Sequence, residues 1–531
     1  MSNVGRAKAL LTELAARGLR DVCVCAGARN APFVAALERA RGLTALSFFE
    51  ERSAGFFALG RARRDHRPVA VAVTSGTAAA ELLPATIEAH YSGVPLVLLT
   101  SDRPRRLRGT GAPQAIEQVG LYGRFVETEC DLEGDDPLRL TEWTGRGPLH
   151  LNVCFDEPLI DEPVEAWSVL AGAEASTVGS KVVDETVGAL AGVSRALLRA
   201  RHPIVIVGGL DAEAERVAVR GLLLKLGAPV YAESTSGLRE DPVLDSLLLK
   251  SGDRILSWAM ARGHFDCVLR VGGVPTARLW RDLEAPSCPI PVVSISRLSF
   301  KGLSRCEHAW GDLAALADHL AKVIEPRPGS PELFACDAGR ARALERLLAE
   351  HPCSEPSLTC ALSLVMAGSA TVYLGNSLPI REWDLAAVRG RPRWAQASRG
   401  ANGIDGQIST FLGGVREGRE AWAVVGDLTA LYDLAAPWAL PYVANACARV
   451  VVMNNGGGKI FSRLFGNPLF ENRHSLRFDH FAKAWGLEYE RWAEIPPDGA
   501  RSTGAALLEV VPDPAETAAF WSGHDELWRK P

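Results

Sequence analysis

Short apolar runs recur along the chain, and between them lie stretches whose apolar residues return every three or four positions. The first runs are Val22 to Cys25, Val69 to Val73 and Pro95 to Leu99, with Gly147 to Val153 as a later strand of the same set. The first three lack polar alternation, so each predicts a strand buried on both faces. The stretches Asn30 to Arg39 and Thr77 to His90 carry helical spacing. Strands alternating with helices predict a parallel sheet covered on both sides. A second group follows at Pro203 to Val207, Asp266 to Val271 and Pro291 to Ser296. A third comprises Ala370 to Leu374, Ala421 to Val425, Ala448 to Met453 and Ala506 to Val511.

Two segments separate the groups. Ala171 to Lys181 is small and polar, and Glu325 to Pro331 is rich in proline; both read as linkers. The expected class is therefore α/β, with three domains at 1–180, 181–330 and 331–531 and mostly parallel central sheets. A length of 531 residues agrees, because single cores stop growing well below that size.

Composition narrows the function. The 47% hydrophobic and 23% charged residues give a globular balance, and a net charge of -5 offers no basic footprint for nucleic acid. No apolar stretch approaches the roughly 18 residues that cross a bilayer, and the N-terminus lacks a signal peptide's apolar core. The 11 cysteines are scattered without a CxxC pair, which predicts reduced thiols and a cytoplasmic setting. The 11 histidines show no metal-ligand spacing. The glycine pairs at Gly208-Gly209 and Gly272-Gly273 do not complete GxGxxG, so a dinucleotide site is not expected.

The strongest chemical signal is in the third group. One strand ends in Gly426-Asp427-Leu428, and the next ends in Asn454-Asn455-Gly456-Gly457. A carboxylate, an amide oxygen and a backbone carbonyl at adjacent strand ends suit a hard cation such as Mg²⁺, with room left for phosphates. The glycines permit close approach of a diphosphate. The competing role for Asp427 is a helix cap.

Further candidates lie near the N-terminus. Glu51, in Phe49-Glu50-Glu51-Arg52, starts a small-residue helix; for an isolated acidic pair, capping is the commoner role. Thr74-Ser75-Gly76 follows a strand and opens a helix, an arrangement whose amides can approach a flat ring or an anion. Arg103 directly follows a strand, where ligands of α/β sheets bind, whereas Arg105, Arg106 and Arg108 read as a solvated face.

Taken together these segments resemble the 2-succinyl-5-enolpyruvyl-6-hydroxy-3-cyclohexene-1-carboxylate (SEPHCHC) synthases of menaquinone biosynthesis, within the thiamin-diphosphate (ThDP) enzymes. The matching stretches run in order through both end domains: Gly27-Ala28-Arg29-Asn30, Glu50-Glu51-Arg52, Thr74-Ser75-Gly76-Thr77, Ser101-Asp102-Arg103-Pro104, Gln114-Ala115-Ile116, Gly375-Asn376-Ser377-Leu378-Pro379-Ile380-Arg381, Ser398 to Gly406, Gly426 to Leu434 and Asn454 to Phe461. Leu428 replaces the third glycine of the usual G-D-G motif, itself a feature of this family.

The resemblance implies a ThDP- and Mg²⁺-dependent transferase that decarboxylates 2-oxoglutarate and joins the remaining unit to isochorismate by 1,4-addition. It implies that Glu51 activates the cofactor, that Asp427, Asn455 and the carbonyl of Gly457 hold Mg²⁺, and that Ile404 wedges the cofactor into its bent form. Thr74, Ser75, Gly76 and Leu428 would also contact the cofactor. Arg103, Gln114, Ser377, Arg381 and the catalytic Arg399 would line the substrate site. Arg29 would face the ring substrate, Ile460 and Phe461 would form an apolar wall, and Arg278 would reach in from the central domain. Both substrates are dicarboxylates, which suits fixed arginine forks. The family places its cofactor between subunits, so a homodimer or homotetramer is implied. One departure stands out: the family's first loop carries serine where this chain has Ala28. A related ThDP enzyme with another acceptor, and a silent effector-binding homologue, remain the alternatives.

Overall fold

The computed structural model describes residues 1–169, 184–368, 370–390, 393–443 and 446–529. The linker expected at 171–181 and the boundary at 180 lie outside the described residues.

Three main sheets form. The first orders its strands Thr44–Phe48, Asp21–Cys25, Val69–Val73, Leu96–Asp102, Leu149–Cys154 and Thr128–Glu133, all paired in parallel. The four central strands are buried at every position, and the polar His150, Asn152 and Thr100 among them are hydrogen-bonded to one another or to neighbours. Leu10, Phe33, Val97, Leu99, Leu151 and Phe155 pack one face of this sheet. The second sheet orders Val230–Ala232, Pro203–Val207, Cys267–Val271, Val292–Ser296 and Glu307–Trp310, again parallel. The third orders Ala395–Gln396, Thr371–Leu374, Glu420–Gly426, Cys447–Met453, Ala506–Val510 and Glu488–Trp492. The α/β class read from the sequence is what the chain adopts.

The chain clusters into two compact units. One comprises Met1–Gly179, Ser398–Gly418 and Thr429–Ala448; the other comprises Ser180–Ala397, Arg419–Leu428 and Arg449–Pro531. The first unit thus contains the first sheet and two helical stretches distant in sequence, and the second contains the other two sheets.

Local chemistry explains where helices begin and end. The apolar stretch from Thr77 to His90 forms two helices, Thr77–Ala80 and Leu83–Ser92, with Pro84 in the first turn of the second. Proline lacks the amide that a continuous helix would need there, so the segment restarts. The helix Glu51–Asp65 begins with Glu50, whose carboxylate accepts from the amides of Arg52 and Ser53 and from the Ser53 hydroxyl. Among the described residues no helix is long and apolar enough to cross a membrane. All the cysteines are free thiols.

Inside the first unit, the helix Glu51–Asp65 meets the helix Gln407–Gly414 backbone to backbone. A Cβ on Gly60 would overlap the Thr410 carbonyl, and one on Gly413 would overlap the Phe57 carbonyl. Neither obstacle is a flexible side chain, so the helices would have to separate. Gly413→Ala is therefore expected to destabilise the protein by about 1–3 kcal/mol. Helix propensity alone would stabilise it by about 1 kcal/mol, so the sign of the shift in a urea unfolding midpoint tests the close packing.

The same helix is held at its start by Asp433, a fully buried carboxylate that accepts from the Ser409 amide at 2.8 Å and the Ser409 hydroxyl at 2.9 Å. Burial pushes its carboxyl up to about 6, against those two bonds. A carboxyl raised in the fold favours folding while protonated, so this destabilisation is absent below the unfolded value near 4 and fully present above pH 6. Asp433→Asn keeps an acceptor for the amide and lets the serine hydroxyl turn to accept from the new NH₂. The variant is expected to exceed the parent in stability by up to ~3 kcal/mol at pH 7.5. In parallel urea titrations the difference should shrink as pH falls from 6 towards 4.

Candidate active site

In the first unit, the C-terminal ends of the first sheet's strands gather one set of the candidate residues. Thr74 and Ser75 follow the strand Val69–Val73, and Gly76 takes φ 90°, a conformation that favours glycine. Ser75 Oγ accepts from Arg103 Nη1 at 2.6 Å, and the same nitrogen donates to the Gln114 carbonyl at 3.0 Å. Gln114 sits at φ 56° against Gly76. The Arg29 amide donates to Thr74 Oγ1 at 3.3 Å, and its guanidinium donates to the Phe155 carbonyl at 2.9 Å. Arg29 Nε is buried without a hydrogen bond. Burial, and after it the charge of Arg29, lower the Arg103 guanidinium. The two arginines engage adjacent residues, Arg29 through its amide on Thr74 and Arg103 through its guanidinium on Ser75.

Glu51 lies in the first turn of its helix and is half-buried. Glu50 caps the amides of Arg52 and Ser53, while the Glu51 carboxylate bonds its own amide. Burial raises its carboxyl, its own amide opposes this, and Glu50 and Glu81 add to the rise. A carboxyl raised in this way holds a proton more readily near neutral pH, as acid–base work requires.

The loop around Ala28 is built by a neighbour. Asn30 is fully buried; it accepts from the Gly27 amide at 2.8 Å and donates to the Cys25 carbonyl at 2.9 Å. Ala28 itself is exposed. The alanine therefore leaves the loop's framework intact. Arg399 and Ile404 lie in the same unit, on the loop that precedes the helix Gln407–Gly414.

In the second unit, Asp427 and the glycine turn converge as the motif predicted. The Asp427 carboxylate accepts from the amides of Gly456 at 2.8 Å and Gly457 at 2.9 Å, and its other oxygen accepts from Leu428 at 2.6 Å. Gly457 has φ 133°, and a Cβ there would overlap the Glu471 carbonyl. Asn455 spends its NH₂ on both oxygens of Glu355, at 3.0 and 2.9 Å. Its Oδ1 is left buried with no hydrogen bond. An unpartnered buried acceptor next to a buried carboxylate costs stability unless something fills it. The donor set of carboxylate, amide oxygen and glycine-turn carbonyl fits a hard divalent cation.

The second unit also holds Ser377, Arg381 and Arg278. Ser377 caps the helix Leu378–Ala386 at φ 78°. Arg381 donates to the Thr276 carbonyl at 3.0 Å, which ties that helix to the loop before Arg278. The same loop is gripped by Glu233, which accepts from Thr276 and Ala277. Arg278 is exposed and lies 3.8 Å from Asp282. Ile460 is half-buried, and Phe461 is exposed in a cluster with Phe465 and Phe470.

Comparison with known proteins agrees with this geometry. Residues 6–121 match the family model described as the N-terminal TPP binding domain of thiamine pyrophosphate enzymes. Proteins named 2-succinyl-5-enolpyruvyl-6-hydroxy-3-cyclohexene-1-carboxylate synthase are similar over the whole length. The one from Bdellovibrio bacteriovorus is 42% identical over 100% of both chains. That from Akkermansia muciniphila is 40% identical over 96% of each, and that from Geobacillus kaustophilus is 33% identical over 99% of this chain and 97% of its own. The chain belongs to the SEPHCHC synthase family. It is a ThDP-dependent enzyme.

Several residues in these SEPHCHC synthase clusters escape the sequence motifs. Glu355 orients Asn455 across a separation of 100 residues. Gln118, fully buried, accepts from the Gly76 amide at 2.9 Å and donates to Asn152 at 2.8 Å. Arg108 is not part of a solvated face: it pairs with Asp131 at 2.6 Å and with the buried Asp102 at 3.1 Å. No spacing rule marks these side chains, because Asn455, Gly76, Asn152 and Asp131 reach them from other elements.

Proposed function

We propose that this chain decarboxylates 2-oxoglutarate and adds the remaining four-carbon unit to isochorismate, forming SEPHCHC with Mg²⁺ and ThDP. The observation that carries the substrate class is the convergence of Arg29 and Arg103 on the adjacent residues Thr74 and Ser75, at the end of one strand. Guanidinium forks bind carboxylates in a bidentate way, and both substrates of the proposed reaction carry carboxylates. ThDP, when bound, supplies the electron sink that decarboxylation of a 2-oxo acid needs.

The chain's residues divide the remaining tasks. Asp427, Asn455 and the Gly457 carbonyl would hold Mg²⁺, and Leu428 and the Thr74-Ser75-Gly76 turn would border the cofactor. Glu51 would hold a proton at its carboxylate for the aminopyrimidine. Ile404 would set the cofactor's bend. Arg103, Gln114, Ser377, Arg381 and Arg399 would fix the 2-oxo acid, Arg29 and Arg278 would face the acceptor, and Ile460 and Phe461 would exclude water. The division at 1–180, 181–330 and 331–531, the cytoplasmic setting and assembly as a homodimer or homotetramer belong to the same proposal.

The test is a single assay with ThDP, Mg²⁺ and 2-oxoglutarate, with and without isochorismate, followed by mass spectrometry. The succinyl-cyclohexene adduct is the expected product. Decarboxylation without adduct would keep the ThDP chemistry and replace the acceptor. Neither reaction, together with no ThDP binding by calorimetry, would favour a silent homologue.

A further inference from the structure

Glu88 lies on the helix Leu83–Ser92 and is 3% exposed, and no step assigned above uses it. Its Oε1 accepts from the Gly400 amide at 2.8 Å, and its Oε2 accepts from the Ala401 amide at 2.7 Å. Ser92 Oγ donates to the same Oε1 at 2.9 Å. Both partners of this clamp belong to the first compact unit. The two amides directly follow Arg399, and Ile404 lies a few residues further along the same loop. The approach is close: a Cβ on Gly400 would stand 2.8 Å from both the Glu88 carbonyl oxygen and Ser92 Oγ.

A buried carboxylate is costly unless its oxygens are filled. Here two consecutive amides and a hydroxyl fill them, and hydrogen bonds to a carboxylate are about twice as strong as neutral ones. One side chain thereby fixes the backbone on the C-terminal side of Arg399. A long arginine side chain recognises a carboxylate with a fixed fork only if its own backbone is fixed, since otherwise each binding event must order the loop as well.

We propose that Glu88 is a positioning residue that clamps the Arg399–Ile404 loop so that Arg399 meets a substrate carboxylate in a preset geometry. This rests on Arg399 as a 2-oxo acid ligand. Glu88→Gln replaces one acceptor with a donor that faces an amide N–H. Gly400→Ala presses on the clamp from the loop side.

The experiment compares Glu88→Gln, Gly400→Ala, Arg399→Ala and the Glu88→Gln/Arg399→Ala double variant. It reads KM and kcat with 2-oxoglutarate, and backbone hydrogen exchange across 398–404 in the enzyme without substrate. Glu88→Gln is expected to raise KM about tenfold, the size of one charge-assisted bond, with a smaller change in kcat and about tenfold faster exchange at 400 and 401. Gly400→Ala should give the same pattern, and the double variant should be no worse than Arg399→Ala, because both changes remove one function. Wild-type KM and exchange in Glu88→Gln, beside a raised KM in Arg399→Ala, overturns the clamp. Effects that multiply in the double variant also overturn it. An unchanged KM in Arg399→Ala overturns the reading of Arg399 and the proposal with it; faster exchange in Glu88→Gln distinguishes that case from a failed clamp.

Discussion

Glu51→Gln is expected to lower kcat by roughly 10²- to 10⁴-fold while leaving the unfolding midpoint close to that of the parent. The two halves of this expectation have separate causes. The helix Glu51–Asp65 takes its cap from Glu50, whose carboxylate already satisfies the first free amides. Glutamine at 51 leaves those bonds in place and keeps an oxygen that can accept from the residue's own amide. What it removes is the proton-holding group, which burial and the charges of Glu50 and Glu81 have raised towards the working pH. An amide has the same shape and cannot exchange that proton. Steady-state kinetics with the 2-oxo acid, beside a thermal melt, check both halves. Glu50→Gln is the informative partner. It should weaken the helix start and lower stability by the ~1 kcal/mol typical of a lost cap, seen as a lower melting point, with a smaller loss of kcat. Equal loss of activity in the two variants would remove the special role of Glu51.

Asp427→Ala is expected to reduce Mg²⁺-dependent ThDP affinity by at least about a hundredfold, since even outer-shell partners of a metal site cost 10- to 100-fold. Asp427 is the carboxylate of its donor set, and Asn455 and Gly457 offer only neutral oxygens. It also organises them: its oxygens collect the amides of Leu428, Gly456 and Gly457, so its loss frees the turn that would face the diphosphate. Asp427→Asn separates the two contributions. It keeps an acceptor for the turn and removes the negative charge, so its melting point should stay nearer the parent's while cofactor affinity still falls. Titration calorimetry with ThDP at fixed Mg²⁺ reads the effect. Parent-like affinity in Asp427→Ala would place the cation elsewhere.

Much of this was legible in the residues. The strands at Asp21–Cys25, Val69–Val73, Pro203–Val207 and Cys447–Met453 follow from unbroken apolar runs, because a doubly covered sheet leaves no face for polar side chains. The meeting of Asp427 with the Gly456-Gly457 turn was legible because both sit at strand ends, where adjacent strands bring their loops together. The same approach failed for Thr77 to His90, where helical spacing concealed a break at a proline. It also misread Arg108 as solvated, because Asp131 arrives from the strand Thr128–Glu133, and because the chain turns back so that Arg108 meets the buried Asp102 at the end of the preceding strand.

The sequence by itself determined the alternation of strands and helices, the family motifs and the chemical types of the candidate ligands, since these depend on local periodicity and short spacing. Only the tertiary structure decided which carboxylate does which task. Glu50 and Glu51 are adjacent and chemically alike, yet one accepts from the amides of Arg52 and Ser53 and the other is half-buried against its own amide. Glu88 and Glu355 sit in ordinary helical stretches, and their partners lie more than 90 residues away. The physical reason is that a buried carboxylate must find its donors wherever the fold brings them, and that meeting is set by packing across the whole unit rather than by neighbours along the chain.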